Sequence, residues 1–205
     1  MRIIDLSCIL DDETPVYPGD PPTELISHAR IDAYGYAVSV LRTSLHAGTH
    51  IDGPQHMFEE APVISEIPVE RFHGRGVLID ARGKTPAGAE LLAGVNIEPG
   101  DIVLVLTGQP QSGAPDSHGN EAACITEAFA RILVVRKVGM LGIDCASPDA
   151  APYPVHRLLL GNGILIAENL MHLASLIGCA NFEVLALPVK IRAEAAPARV
   201  VALIR

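Results

Sequence analysis

The chain has 205 residues, 49% of them hydrophobic and only 4% aromatic, with no Trp. That length suits one well-buried core better than two, and an apolar mass of Ala, Val, Ile and Leu suits packed strands and helices. Fifteen Lys and Arg against 24 Asp and Glu give a net charge of −9, and without a basic cluster to follow a phosphate backbone the composition argues against nucleic acid as a partner.

No stretch approaches the roughly 18 uninterrupted apolar residues that span a bilayer, and the first residues carry an early Asp5 in place of a secretory apolar run. A cytoplasmic protein with no membrane partner is expected. Cys8, Cys124, Cys145 and Cys179 are widely spread with no C-x-x-C pair, which predicts reduced, buried thiols and neither a zinc ribbon nor a redox dithiol.

In chain order, residues 3–6 read as a strand, followed by a loop fixed by Pro15, Pro18, Gly19, Pro21 and Pro22 around Tyr17. Residues 26–31 and 37–45 read as further strands, the second ending at His46 and holding it rigidly. Residues 46–56 then run His-Ala-Gly-Thr-His-Ile-Asp-Gly-Pro-Gln-His. Three of the chain's eight histidines and one carboxylate fall among residues that bend the backbone, so several donors can turn toward one point. Imidazole nitrogen with carboxylate oxygen is a donor set for borderline divalent cations. Any one of these histidines alone reads as an ordinary surface residue; together they read as a metal site.

Beyond the motif, residues 76–80 and 101–107 predict buried strands, 87–93 a short helix, and 128–133 a helix with Thr126 at its start. Gly83-Lys84-Thr85 is not a phosphate loop, because the first glycine of that motif would fall on Leu78. Residues 109–120 predict an exposed loop with a solvent-facing His118, and 138–144 a strand. Gly161-Asn162-Gly163 predicts a tight turn that folds a strand back on itself. Residues 169–177 predict a helix stopped by Gly178 and carrying His172, and 182–191 and 199–204 predict the last strands. By chemistry alone His156, beside a run of Leu, and Glu168 say little.

The pattern His46-x-Gly48-Thr49-His50-x-Asp52-x-Pro54-x-His56 resembles the signature of the cyclase-type metal-dependent hydrolases, the family that includes bacterial kynurenine formamidase. The resemblance runs from Leu6 to the C-terminus and implies a single α/β domain over residues 1–205, with mixed β-sheets of the swivelling β/β/α type and few helices. It implies two divalent metal ions, Zn²⁺ first and Mn²⁺ second, with His46 and His50 on one ion and Asp52 bridging both. His156 and, twelve residues on, a bridging Glu168 would hold the second ion, and His56 would act as the catalytic proton donor and acceptor. Tyr17 takes the place of a substrate-lining Trp, and Met57 intervenes before the Phe58 that the family has directly after the last His.

The implied activity is a metal-dependent amidohydrolase on a small molecule, foremost an arylformamidase that cleaves N-formylkynurenine to kynurenine and formate in tryptophan degradation. Hydrolysis of a cyclic amide or lactone, as by isatin hydrolase or a cyclase, is the alternative, and a metal-binding protein without turnover is another. A closed structural site would use thiolates, and no Cys lies near the motif. A homodimer is expected from the family.

Overall fold

A computed structural model describes residues 1–108 and 123–205, so the expected loop at 109–120 and His118 lie outside the described residues. Eight strands form one mixed sheet: β1 (Arg2–Asp5), β4 (His50–Asp52), β5 (His73–Asp80), β6 (Ile102–Leu106), β7 (Met140–Ile143), β8 (Leu165–Glu168), β9 (Phe182–Pro188) and β10 (Ala195–Ile204). Their order is β1-β10-β4-β8-β7-β6-β5-β9, and a further pairing of β9 with β10 closes the sheet on itself like a barrel. Strands β5 to β8 run parallel, joined by crossovers, whereas β4 lies antiparallel between β8 and β10. β6 is buried along its whole length, as its unbroken Ile-Val-Leu-Val-Leu run predicts for a parallel strand covered on both faces.

One apolar layer gathers the outer faces of β6 and β7 with helices α2 (Glu127–Val135) and α3 (Pro154–Gly161), through Phe129, Leu133, Leu141, Leu159 and Leu160. A second fills the other side of the sheet with Ile51, Leu104, Met140, Leu165, Phe182 and Val184. Thr126 caps α2 as expected, its hydroxyl accepting from Phe129 N at 3.2 Å. A separate two-stranded hairpin, β2 (Glu24–Ala29) and β3 (Val38–Arg42), joined through the single helical turn α1 (Ile31–Tyr34), stands apart from the main sheet. The fold is α/β with mixed strands and few helices, as the sequence implies.

Several local expectations are corrected. β3 belongs to the hairpin and ends at Arg42, so no strand delivers His46, which lies on a turn ahead of β4; the strand that carries the motif is β4 itself. The segment around His156 is not a strand but helix α3: Pro154 pre-sets its first turn, and Val155, His156, Leu159 and Leu160 share a buried face at helical spacing. Residues 169–177 are not a helix, because Asn169 and His172 adopt left-handed backbone (φ 55° and 56°) and leave only the 3₁₀ turn Leu173–Leu176. The helix expected at 87–93 is likewise a 3₁₀ turn, Ala89–Leu92. Cys124 and Cys145, expected as thiols, are joined as a disulfide, while Cys8 and Cys179 are free. Among the described residues, no helix is long and apolar enough to cross a membrane.

Candidate metal centre and active site

Two segments 118 positions apart meet because β4 pairs with β8: His50 lies directly opposite Glu168, and Asp52 opposite Ile166. Their side chains therefore start from backbone fixed by ladder hydrogen bonds. Two glycines make the path into and out of β4 possible. Gly48 has φ +63° and leaves no room for a Cβ, which would meet Cys8 Sγ at 2.9 Å; at Gly53 a Cβ would meet Glu194 O at 3.1 Å. After Gly53, Pro54 opens the 3₁₀ turn Pro54–His56, which swings His56 back over the strand. The ring centroids of His46 and His56 are 4.4 Å apart, and those of His56 and His156 5.6 Å.

All five proposed donors converge. His46 Nδ1 is 2.9 Å from Asp52 Oδ1, His50 Nε2 is 3.2 Å from Glu168 Oε2, and His156 Nε2 is 3.4 Å from Glu168 Oε1 and 3.7 Å from Asp52 Oδ2. His50, Asp52, His156 and Glu168 are buried; His46 and His56 are half-buried. Although these atoms lie at ion-pair distances, His50 Nε2, both oxygens of Asp52 and Glu168 Oε1 are buried without a hydrogen bond of acceptable geometry. Orphaned buried polar atoms are costly, and a cation at their common focus would satisfy all of them. His50, Asp52 and Glu168 present donor atoms within 4.8 Å of one another, as do His46, Asp52 and His56, so Asp52 is common to both groups. This donor set fits divalent cations.

The atoms facing away from the focus are tied down. His50 Nδ1 is 2.9 Å from the Gly48 carbonyl, which can only accept, so Nδ1 carries the proton and Nε2 faces the centre. Asn169 Nδ2 donates to the same carbonyl at 3.1 Å, and Thr49 Oγ1 donates to Asn169 O at 2.8 Å, stitching the early motif to the end of β8. His156 Nδ1 lies 2.5 Å from Asp149 Oδ1, and the other oxygen of Asp149 accepts from Val155 N at the start of α3. One buried carboxylate thus caps the helix and aims its histidine. Asp149 and Asn169 are absent from the sequence-level site. Asp149 stands five positions before the first helical residue, away from the N-cap position Tyr153, so no local signal marks it, and its bond to His156 exists only once α3 has formed.

Protons and cations compete for this cluster. Burial pushes the carboxyl of Asp52 up, but the imidazoles of His50, His156 and His46 outweigh it and hold it well below the usual range. Burial and the charge of Asp52 push Glu168 up, and His156 and His50 bring it below its usual value. Burial likewise works against the charged form of His156, yet Asp149, Asp52 and Glu168 push it up to about 12. His56 differs: burial lowers its pKa, the neighbouring His46 and His156 add to that, and Asp52 only partly opposes it. These surroundings favour its neutral form.

Above the cluster opens a cavity of about 440 Å³, within the range of small-molecule sites. Tyr17, Met57, Tyr153 and Arg157 line it together with His46 and His56. Met57, the residue that departs from the resemblance, also packs partly against the helical core layer. Tyr17 and Tyr153 face each other with hydroxyls 3.5 Å apart.

A mixed barrel-like sheet with buried imidazoles and carboxylates at the floor of a small-molecule cavity defines a candidate metalloenzyme. Residues 4–150 match the family described as "Putative cyclase", and the chain belongs to that family. It is similar to a kynurenine formamidase from Salinibacter ruber, 29% identical over 209 aligned positions that cover 98% of this chain and 97% of that one. Among solved structures it is similar to isatin hydrolase A from Labrenzia aggregata (TM-score 0.88, 26% identity, 99% of this chain and 93% of that one). It is also similar to a predicted metal-dependent hydrolase from Bacillus stearothermophilus (TM-score 0.77, 27% identity, 100% and 98% covered).

Proposed function

We propose that the chain is a metal-dependent amidohydrolase of this family that cleaves an aryl formamide, N-formylkynurenine foremost, to the arylamine and formate. The observation that carries the reading is the imidazole of His56 beside five converging donors, four of them buried, at the floor of a cavity of about 440 Å³. The similarity to a kynurenine formamidase over nearly the full length supports the substrate class.

His46, His50, Asp52, His156 and Glu168 would hold two divalent ions, Zn²⁺ or Mn²⁺. Bound there, the ions would supply Lewis-acid polarisation of the formyl oxygen and lower the pKa of water toward neutrality. The residues of the chain do the rest. His56 accepts the proton of the water that attacks the formyl carbon, and returns it to the nitrogen as the C–N bond breaks. Tyr17 offers its ring to the planar aryl group. Asp149 holds His156, and Gly48 holds His50, so neither ring turns during the reaction.

Hydrolysis of a cyclic amide is the second reading, supported by the similarity to isatin hydrolase A. Assaying N-formylkynurenine, isatin and simple lactones with defined metals added back separates the two. The first reading expects the formamide to have the highest kcat/KM, and preference for isatin or a lactone overturns it. We also propose a homodimer assembled through the β2–β3 hairpin, where Leu25, Ile26, Val38, Val40 and Leu41 are each 40–49% exposed. A two-stranded hairpin is marginal by itself in water. A monomer by light scattering at micromolar concentration would refute this assembly.

A further inference from the structure

The rim of the cavity carries charges of both signs that the chemistry at its floor leaves unused. Arg157 is the one Lys or Arg among the described residues that line it. It directly follows His156 on α3, its side chain is exposed, and no ion pair or side-chain hydrogen bond engages its guanidinium among the described residues. Lining the same cavity, Tyr17-Pro18-Gly19-Asp20 forms a tight turn in which Asp20 N donates to Tyr17 O at 2.9 Å and Gly19 has φ +101°. That turn places Asp20 and Tyr17 side by side on the cavity wall. One oxygen of Asp20 accepts from Ser44 Oγ at 2.9 Å, which orients the carboxylate, and the described residues give the other oxygen no partner. The hydroxyls of Tyr17 and Tyr153, 3.5 Å apart, bridge the Asp20 turn to the start of the helix that bears Arg157.

We propose that Arg157 and Asp20 are specificity residues for a substrate whose tail is a free α-amino acid, Arg157 taking the carboxylate and Asp20 the ammonium group. A guanidinium matches a carboxylate through two parallel N–H bonds, and a carboxylate accepts readily from an ammonium. A neutral cyclic amide would leave both charges without a counterpart. This inference rests on the aryl formamide reading and narrows it to formamides with a zwitterionic tail.

The test compares metal-loaded protein on two substrates: N-formylkynurenine, and the same aryl formamide with its amino-acid tail shortened to a methyl ketone. Wild type is expected to favour the tailed substrate in kcat/KM. Arg157→Gln and Asp20→Asn should each lower that preference about tenfold, mostly through KM, with Arg157→Lys falling between Arg157→Gln and wild type. A ratio unchanged in both variants overturns the proposal, because loss of general structure would depress both substrates together. If wild type cleaves neither formamide, the formamidase reading fails separately, and binding decides the tail. Kynurenine should then bind metal-loaded wild type about tenfold more tightly than Arg157→Gln by calorimetry, and equal binding overturns the proposal.

Discussion

The floor and the rim of the cavity are built on different principles. At the floor, His50, Asp52, His156 and Glu168 are buried on β4, β8 and α3, and both His50 and His156 have their outward nitrogens engaged by Gly48 and Asp149. At the rim, Tyr17, Asp20 and Arg157 are half-buried or exposed, and a long contact between the hydroxyls of Tyr17 and Tyr153 joins the Asp20 turn to the start of α3. A rigid floor suits chemistry that needs fixed donors, whereas a looser rim can change its side chains without disturbing them.

Substitutions at the two levels should separate this way. Asp52→Asn removes the carboxylate common to both donor groups, and with it Lewis-acid assistance worth several kcal/mol; turnover should fall on the order of 10³-fold or more, with metal content falling alongside it. Asp149→Ala leaves all five donors in place but frees His156, so metal affinity by competition with a chelator should drop about 10–100-fold. The lost cap on α3 should also cost about 1 kcal/mol in thermal unfolding. Tyr17→Ala should leave metal content unchanged and raise KM only about 2–10-fold, the range expected from losing one aromatic contact.

The pH profile reports on the floor alone. A histidine works as a base only when neutral, and burial places the pKa of His56, the proposed base, below the ordinary 6.5. Activity should hold at pH 7 and fall as protons bind below pH 6.5, with the acid limb of kcat/KM centred under that value. A limb centred above 6.5 would show that another group sets it.

How much of this the sequence could show depended on distance along the chain. The cluster at 46–56 was legible because its donors are local, and the buried β6 because a parallel strand reads as an unbroken apolar run. The pairing of β4 with β8, which sets His50 opposite Glu168, is a long-range register that no local pattern encodes; His156 and Glu168 were reached only through a family resemblance. The same limit hid α3. Its start depends on Asp149 reaching Val155 N across a turn, and a Leu run beside Gly-Asn-Gly fits a strand and hairpin equally well. Asn169 escaped for a related reason: its left-handed backbone ends β8 where local propensity favoured a helix.

The central claim is that five residues hold the metal and His56 stays free to move a proton. Since His56 also lies within donor distance of His46 and Asp52, metal content and formamide hydrolysis measured together on wild type and His56→Ala test this most directly. Two equivalents of divalent metal in both proteins, with turnover about 10²–10⁴-fold lower in the variant, is the predicted result. Loss of a metal equivalent from His56→Ala, or undiminished turnover by either protein after chelation, would contradict it.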